Sequence, residues 1–466
     1  MTYQVPIRPG ESWMRARVRR HVRELTRLAL PVIVARAGLI LMALVDTLFV
    51  GRYGSVDLAH LSIANAPIGS MIGTSTGLVI GTLVMTANAL GRGRPEECGA
   101  VWHRALIYGG VIGLVLAVLC HFIEPLLVLT GQTPELSKAG ADIAIVLGWG
   151  MPAAVIYTVT AFFLEGLKRP VPGMIAMIVA NLLNALVNWL LVFGVAGLPE
   201  LGAMGAAWAS TVSRVFLAVS LVAYVWWMRD RDSYGIRRWR GWRWRDWSKQ
   251  RQLGYGGGLS IFIESGAFTA LTFFAGILGD LPLAAYSIGL NLIALIFMVA
   301  LGLASATAVR VGIAHGRRDL KDMVLAGWVG LGVNSVVMVG FGAVLWLFAR
   351  PIAEAYTSDP SLIPLVVPVV VVSTFILIVD GGQVVMANAL RGRGDVVVPT
   401  LLHTVSYIVV MTPLGWVLGV HLGRGATGLF EAILIASVVS VSLLACRFHL
   451  LARADARASA TAGAAA

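Results

Sequence analysis

Apolar runs of about twenty residues or more follow one another along almost the whole chain. That is the length a helix rising 1.5 Å per residue needs to cross roughly 30 Å of hydrocarbon. The runs begin near residues 28, 58, 101, 139, 171 and 203, and six more begin near 254, 283, 323, 362, 397 and 425. They are continuous and rich in Leu, Val, Ala and Gly, which excludes a membrane barrel, whose strands alternate and span only about ten residues. With 58% hydrophobic and 13% charged residues, no stretch is left for a soluble domain. The expected fold is an all-α polytopic membrane protein with twelve transmembrane helices.

The cations give an orientation. Of the 36 Lys and Arg, thirty fall in segments that are cytoplasmic if the N-terminus is inside, and four, Arg52, Lys138, Arg350 and Arg424, fall in the opposite loops. Arg36 and Arg214 lie within spans. This bias places both termini in the cytoplasm of a multi-pass protein of the cytoplasmic membrane. The net charge of +12 is concentrated before residue 28 and between Arg229 and Arg251. Short basic segments at span ends argue against a nucleic-acid partner and for lipid headgroups. The first segment reads as a solvated arm. The second, with Trp239, Trp242, Trp244 and Trp247 among its arginines, reads as a surface helix at the inner headgroups. No cleavage site follows the basic start, so the first span is read as retained. Cys98, Cys120 and Cys446 have no metal-ligand or disulfide spacing.

Sliding the chain over itself by 225 residues pairs Ser62 with Ser287, Gly77 with Gly302, Thr82 with Thr307 and Gly91-Arg92 with Gly316-Arg317. Polar and glycine matches at one offset indicate a duplicated six-helix unit. Six is even, so the two lobes are expected to be related by a parallel pseudo-two-fold repeat. The resulting division is a basic arm 1–27, a lobe 28–228, a linker 229–253, a lobe 254–450 and a disordered cytoplasmic tail 451–466.

Three acids, Asp46, Glu264 and Asp380, lie inside spans, where a lone charge costs about 2.5–3.5 kcal/mol or more. They are not equivalent under the repeat, so the lobes have diverged. Glu264 falls near the midplane of the seventh span, with Ser260 one turn away on the same face. Asp380 shares a face with Gln383, and Gly381 and Gly382 allow close approach. Asp46 is followed by Thr47. In the fifth span Asn181, Asn184 and Asn188, spaced three and four apart, form one polar stripe. A buried carboxyl can be neutralised by a proton or a metal cation, which gives a two-state helix bundle an ion-sensitive switch. Such an acidic cavity would also attract lipophilic cations. His103, His121, His403, His421 and His449 show no metal-ligand spacing and read as packed or interfacial.

These residues, in this order, resemble the multidrug and toxic compound extrusion (MATE) family, in its NorM-like branch. The resemblance rests on Pro31, Val45-Asp46-Thr47, Asn184-Ala185-Leu186-Val187-Asn188 and Met204-Gly205-Ala206-Ala207. In the second half it rests on Phe262-Ile263-Glu264, Gly289-Leu290-Asn291, Arg310-Val311-Gly312, Asp380-Gly381-Gly382-Gln383 and Leu390-Arg391-Gly392. It implies an exporter of small, often cationic organic compounds, working by alternating access as a monomer and driven by Na⁺ or H⁺. By this likeness Glu264 and Asp380 form a cation site, for Na⁺ in some members, and Asp46 with Asn184 and Asn188 forms a protonatable site. Ser260, Gln383, Asn291, Asn181 and Thr47 support these sites, and Pro31 lets the first helix bend. One departure stands out: some relatives place a tyrosine one turn before the acid matching Asp380, and here that position is Ile376. No cofactor is implied. An enzyme is disfavoured because HExxH, GxSxG and Asp-rich prenyl-diphosphate signatures are missing from the sequence. The alternative is a lipid-linked oligosaccharide flippase of related architecture, which would need cations in its cleft.

Overall fold

The computed structural model describes residues 13–238 and 244–464. Trp239 and Trp242 of the linker, and the arm before Trp13, lie outside them. The regular elements of the described residues are all helical, with no strand. In chain order the helices are α1 Trp13–Tyr53, α2 Ser55–Leu78, α3 Gly81–Gly91, α4 Cys98–Cys120, α5 Ile123–Leu129, α6 Pro134–Trp149 and α7 Met151–Gly166. Next come α8 Val171–Val192, α9 Ala203–Trp227, α10 Ser248–Ile277, α11 Asp280–Gly316, α12 Leu320–Leu347, α13 Ala349–Tyr356 and α14 Ile363–Gly392. The last are α15 Val397–Thr404, α16 Thr412–Gly415 and α17 Gly425–Ala464, with π-helical segments Val405–Met411 and Trp416–His421 on either side of α16.

Eleven helical stretches among the described residues are long and apolar enough to cross a membrane, and a twelfth span is made by α6 and α7, bent by 43°. The break has a local cause. Pro152 follows it and lacks the N–H that would continue the ladder. Side chains of α9 serve the loosened carbonyls: Thr211 Oγ1 donates to Val146 O at 2.9 Å and Arg214 to Leu147 O at 3.1 Å. An arginine that reads as an isolated charge in a span is therefore a cap on a broken helix.

The chain packs as two units, one of residues up to Ile33 with Phe262 onward, the other Val34–Ile261. In the second unit a core forms around Val50, Leu61, Ile68, Ile123, Leu147 and Val192. Its helices approach closely at glycines. A Cβ on Gly77 would stand 2.6 Å from Gly257 O, so α2 and α10 touch backbone to backbone. In the other unit Met323, Met386, Leu390, Leu444 and Phe448 build the core. There α1 meets α11 at Gly302, where a Cβ would lie 2.4 Å from Ile33 Cγ1.

Several boundaries differ from the sequence expectation. The basic arm is not a solvated appendage from Trp13 onward, because it is the first part of α1 and is tied down by ion pairs of Arg17 and Arg20. Pro31 sits inside α1, which runs through it as one helix. Residues 451–464, expected to be disordered, continue α17. Residues 229–238 of the linker form turns, and only a short 3₁₀ turn, Trp244–Trp247, precedes α10, so the described part is not a surface helix. Gly235, at φ +68°, lets the chain press on the start of α4, where Gly99 N donates to Tyr234 O at 2.8 Å. Arg169 clamps Asp230 through two bonds of 2.9 and 2.5 Å.

Candidate functional site

Each unit holds one polar centre inside an apolar bundle. In the Val34–Ile261 unit Asp46 is 5% exposed. Its Oδ1 accepts from Asn184 Nδ2 at 3.0 Å and Asn188 Nδ2 at 2.7 Å, and its Oδ2 accepts from Ser210 Oγ at 2.5 Å. The two asparagines stand one turn apart on α8, so a single carboxylate oxygen bridges both. Asn188 Nδ2 also reaches Asn184 O at 2.9 Å. Ser210 comes from α9, which the fifth-span stripe did not reveal.

Two expected members do not join this centre. Asn181 lies on the same stripe but donates to Gly38 O at 3.1 Å and Met177 O at 2.9 Å, tying α8 to α1. Thr47 is exposed and returns its hydroxyl to Ala43 O at 2.9 Å. As the residue next to Asp46, it sits about 100° round the helix.

The second centre gathers four elements. On α14 Asp380 is 5% exposed and Gln383 1% exposed. Gln383 Nε2 donates to Asp380 Oδ1 at 3.2 Å and to Tyr407 Oη at 2.8 Å. The Tyr407 hydroxyl donates to Glu264 Oε1 at 3.1 Å, so phenol and amide form a bridge between the two acids. Ser437 and Ser440 of α17 complete it, donating to Asp380 Oδ1 at 3.3 Å and to Gln383 Oε1 at 3.1 Å. Tyr407 lies in the π-helical segment before Pro413. Proline cannot donate to the carbonyl four residues back, and the Thr412 hydroxyl instead reaches Tyr407 O at 3.0 Å. Widened turns of this kind recur at functional positions.

Ile376 is buried at the α14 position where some relatives carry a tyrosine, and the π-helical segment Val405–Met411 supplies the phenol here instead. Ser260 is buried one turn before Glu264, whose hydrogen bond goes to Tyr407. Asn291 does not join the centre. It is exposed and accepts from Tyr356 at 3.2 Å.

A third polar cluster was not visible in the sequence. Asp322, 1% exposed, accepts from Arg20 at 2.5 Å, Arg317 at 2.6 Å and His21 at 2.9 Å. Arg310 meets His21 Nδ1 at 2.6 Å and pairs with Glu24. Arg310, counted in the sequence as a loop cation, is thus buried within α11, and it fastens the start of α1 to α11 and α12.

Among the described residues the hydrogen-bond partners found for Asp46, Glu264 and Asp380 are neutral: asparagine, serine, glutamine or tyrosine. Asp322 in the same protein is held by two arginines. For a metal, the described residues contain no group of three or more His, Cys, Asp or Glu. The Glu264–Asp380 centre offers two carboxyls with a phenol, an amide and a serine hydroxyl. Most of those neutral groups point donors at the acids, which suits a carboxyl that takes up and loses a proton.

Known proteins match this chain along nearly its whole length. The MatE family profile matches twice, over residues 31–190 and 258–417. The two matches start 227 residues apart, close to the internal offset of 225. A probable multidrug resistance protein NorM of Caulobacter vibrioides is 40% identical over 94% of this chain and 93% of its own length. A probable multidrug resistance protein NorM of Xanthomonas campestris pv. campestris is 29% identical over 93% of this chain and 94% of its own. The crystal structure of the eukaryotic MATE transporter AtDTX14 superposes with a TM-score of 0.85, covering 94% of this chain and 99% of that one at 18% identity, and so shares the fold. The chain belongs to the MATE family, a family of transporters and not of enzymes, in its NorM-like branch.

Proposed function

We propose that this protein is an ion-driven exporter of amphipathic, often cationic organic compounds, with protonation of buried carboxyls as its switch. The observation that carries this reading is the contrast among its buried acids. Asp322 has two guanidinium partners and is a fixed structural charge. Asp46, Glu264 and Asp380 have only neutral hydrogen-bond donors among the described residues, and the buried guanidiniums of Arg214 and Arg391 act on Asp46 and Glu264 without pairing with them, so each acid keeps a charge that no ion pair locks in place. A bound cation removes that charge and changes the balance between two packings.

A proton fits better than Na⁺. A metal needs converging lone pairs, whereas Gln383 Nε2, Tyr407 Oη and Ser437 Oγ all present hydrogens to the acid pair. The names of the NorM relatives, multidrug resistance proteins, support small organic substrates. Both termini face the cytoplasm on the evidence of the cation bias, in a cytoplasmic membrane, and the protein operates by alternating access. A flippase would need free cations for a pyrophosphate. Arg214 instead caps Leu147 O, and the Arg36 guanidinium lies over the Phe162 ring at 5.2 Å.

The test is efflux of a fluorescent organic cation from vesicles holding the purified protein, with Na⁺ and pH gradients imposed separately. A pH gradient alone should drive accumulation. Asp380→Asn and Glu264→Gln should abolish it while leaving the folded yield unchanged. Efflux by these variants equal to that of the parent protein would refute the assignment.

A further inference from the structure

Beside the acid pair lies a buried imidazole that packing does not explain. His403 is 3% exposed, and neither Nδ1 nor Nε2 has a hydrogen-bond partner among the described residues. A neutral imidazole carries one donor and one acceptor, and leaving both dry inside a protein is costly. Leucine or phenylalanine would fill the position without that penalty. His403 sits one turn before Tyr407, and the two rings meet edge to face with centroids 5.8 Å apart. It therefore adjoins the phenol that bonds Glu264.

A second observation points the same way. Along α14 the positions Asp380, Gln383, Ala387 and Arg391 fall on one face, three or four residues apart. Arg391 ends this stripe, 4% exposed, and its Nε also lacks a partner. Its charge acts on both His403 and Glu264. Unmatched polar atoms on two elements thus lie on the side of the acid pair toward the C-terminal end of α14. Beyond that end, Arg393 pairs with Asp455 at 2.7 Å and Asp395 with Arg447 at 3.0 Å.

We propose that His403, with water held between it, Tyr407 and Arg391, is the relay by which a proton leaves the acid pair toward the cytoplasm. The proposal rests on the reading of Glu264 and Asp380 as the coupling site. Protonated Glu264 gives its proton to Tyr407 Oη as the phenol passes its own to a water, which protonates His403. The imidazolium then releases its other N–H proton to the next water. One N–H or O–H bond breaks for each that forms, and no other reactant is needed. Arg391 repels the imidazolium, so the proton is passed on and not stored, and the same charge keeps metal cations out of the path. The charged and titratable groups that meet His403 are Arg391 of α14, whose charge acts on it, and Tyr407 of the π-helical segment that follows, with Glu264 of α10 one hydrogen bond beyond that phenol. Ser437 and Ser440 of α17 do not titrate.

Two measurements test the relay. In the unaltered protein, exchange of the imidazole C2 hydrogen in D₂O, read by mass spectrometry, should label His403 as it labels exposed His121, because a hydrated ring exchanges and a dry one does not. In vesicles, His403→Phe should slow efflux driven by a pH gradient by about 10-fold or more, given the usual worth of a positioned acid–base group. Gradient-free exchange of dye across the same vesicles should change by less than about twofold. His403→Gln, able to hold water but not to carry the proton, should behave like His403→Phe. An unlabelled His403, or His403→Phe with unchanged proton-driven efflux and pH profile, overturns the relay. If Asp380→Asn abolishes efflux while His403→Phe leaves it intact, the relay alone fails and the coupling site stands.

Discussion

Asp46 can be replaced in two ways that separate its bonding from its charge. In Asp46→Asn the amide oxygen can take the place of Oδ1 and keep the bonds from Asn184 and Asn188, now 3.0 and 2.7 Å. The amide NH₂ then faces Ser210, whose hydroxyl can turn and accept. Three bonds survive in weaker, uncharged form, for a loss of about 1 kcal/mol. In Asp46→Leu three donors lose their acceptor at about 1–3 kcal/mol each, but Ser210 can back-bond to Ala206 O and the leucine gains apolar burial, so about 2–5 kcal/mol is expected. For a unit of this size 1 kcal/mol moves Tm by about 2–4 °C. The asparagine variant should therefore melt within about 4 °C of the parent and the leucine variant roughly 5–15 °C below it. Tryptophan fluorescence of the purified protein reads both. Neither side chain can exchange a proton, so both should lose ion-driven efflux in vesicles. The reasoning fails if the asparagine variant loses as much stability as the leucine variant, or if it still pumps.

Tyr407→Phe removes the bridge between Gln383 and Glu264 but keeps the ring against His403. It should cost about 1–2 kcal/mol in Tm experiments and slow coupled efflux by about 10-fold or more. Gly77→Val would drive a Cβ to 2.6 Å from Gly257 O and 2.7 Å from Gly258 Cα, backbone that cannot step aside. It should destabilise by about 3 kcal/mol or more, whereas Gly266→Ala, with nothing within 4 Å, should leave Tm unchanged. Asp322→Asn strips the charge shared by Arg20 and Arg317, at about 3–5 kcal/mol. Hydrogen exchange should then rise in the segment around Arg17–Glu24 before it rises elsewhere, and unchanged protection there would count against the latch.

What the sequence revealed and what it hid follow one rule of range. Span lengths are set by the bilayer, so the runs were legible one by one, although the break at Pro152 in the one beginning near residue 139 was not read from them. Partners on one helix face were legible from spacing, as with Asn184 and Asn188 or Asp380 and Gln383. Thr47 was misjudged although the same geometry places it on another face from Asp46. Ser210 lies 164 residues from Asp46, Tyr407 143 from Glu264 and Ser437 57 from Asp380. Nothing in a single chain says which serine of α9 or α17 turns inward. Distance also disguised the arm: its arginines read as solvated because Asp322, the acid they serve, comes 302 residues after Arg20.

The partners of an acid sort its role more sharply than its depth does. Asp322 and Asp46 are buried alike, at 1% and 5% exposure, yet two arginines fix the first and three neutral donors hold the second. Neutral donors can keep a carboxylate in place without locking it into an ion pair, so each acid they hold can take or release a cation without breaking one. The two centres do this differently. Asp46 is a single acid whose two oxygens receive three donors, a site that accommodates either protonation state with little movement. Glu264 and Asp380 are joined through Tyr407 and Gln383, and two like charges so linked repel when both ionise. Relief of that repulsion favours holding one proton between them, and the single phenol decides which acid it favours. A helix rotation that carried Tyr407 away would remove that preference, which gives the π-helical segment bearing it a direct hold on when the proton departs.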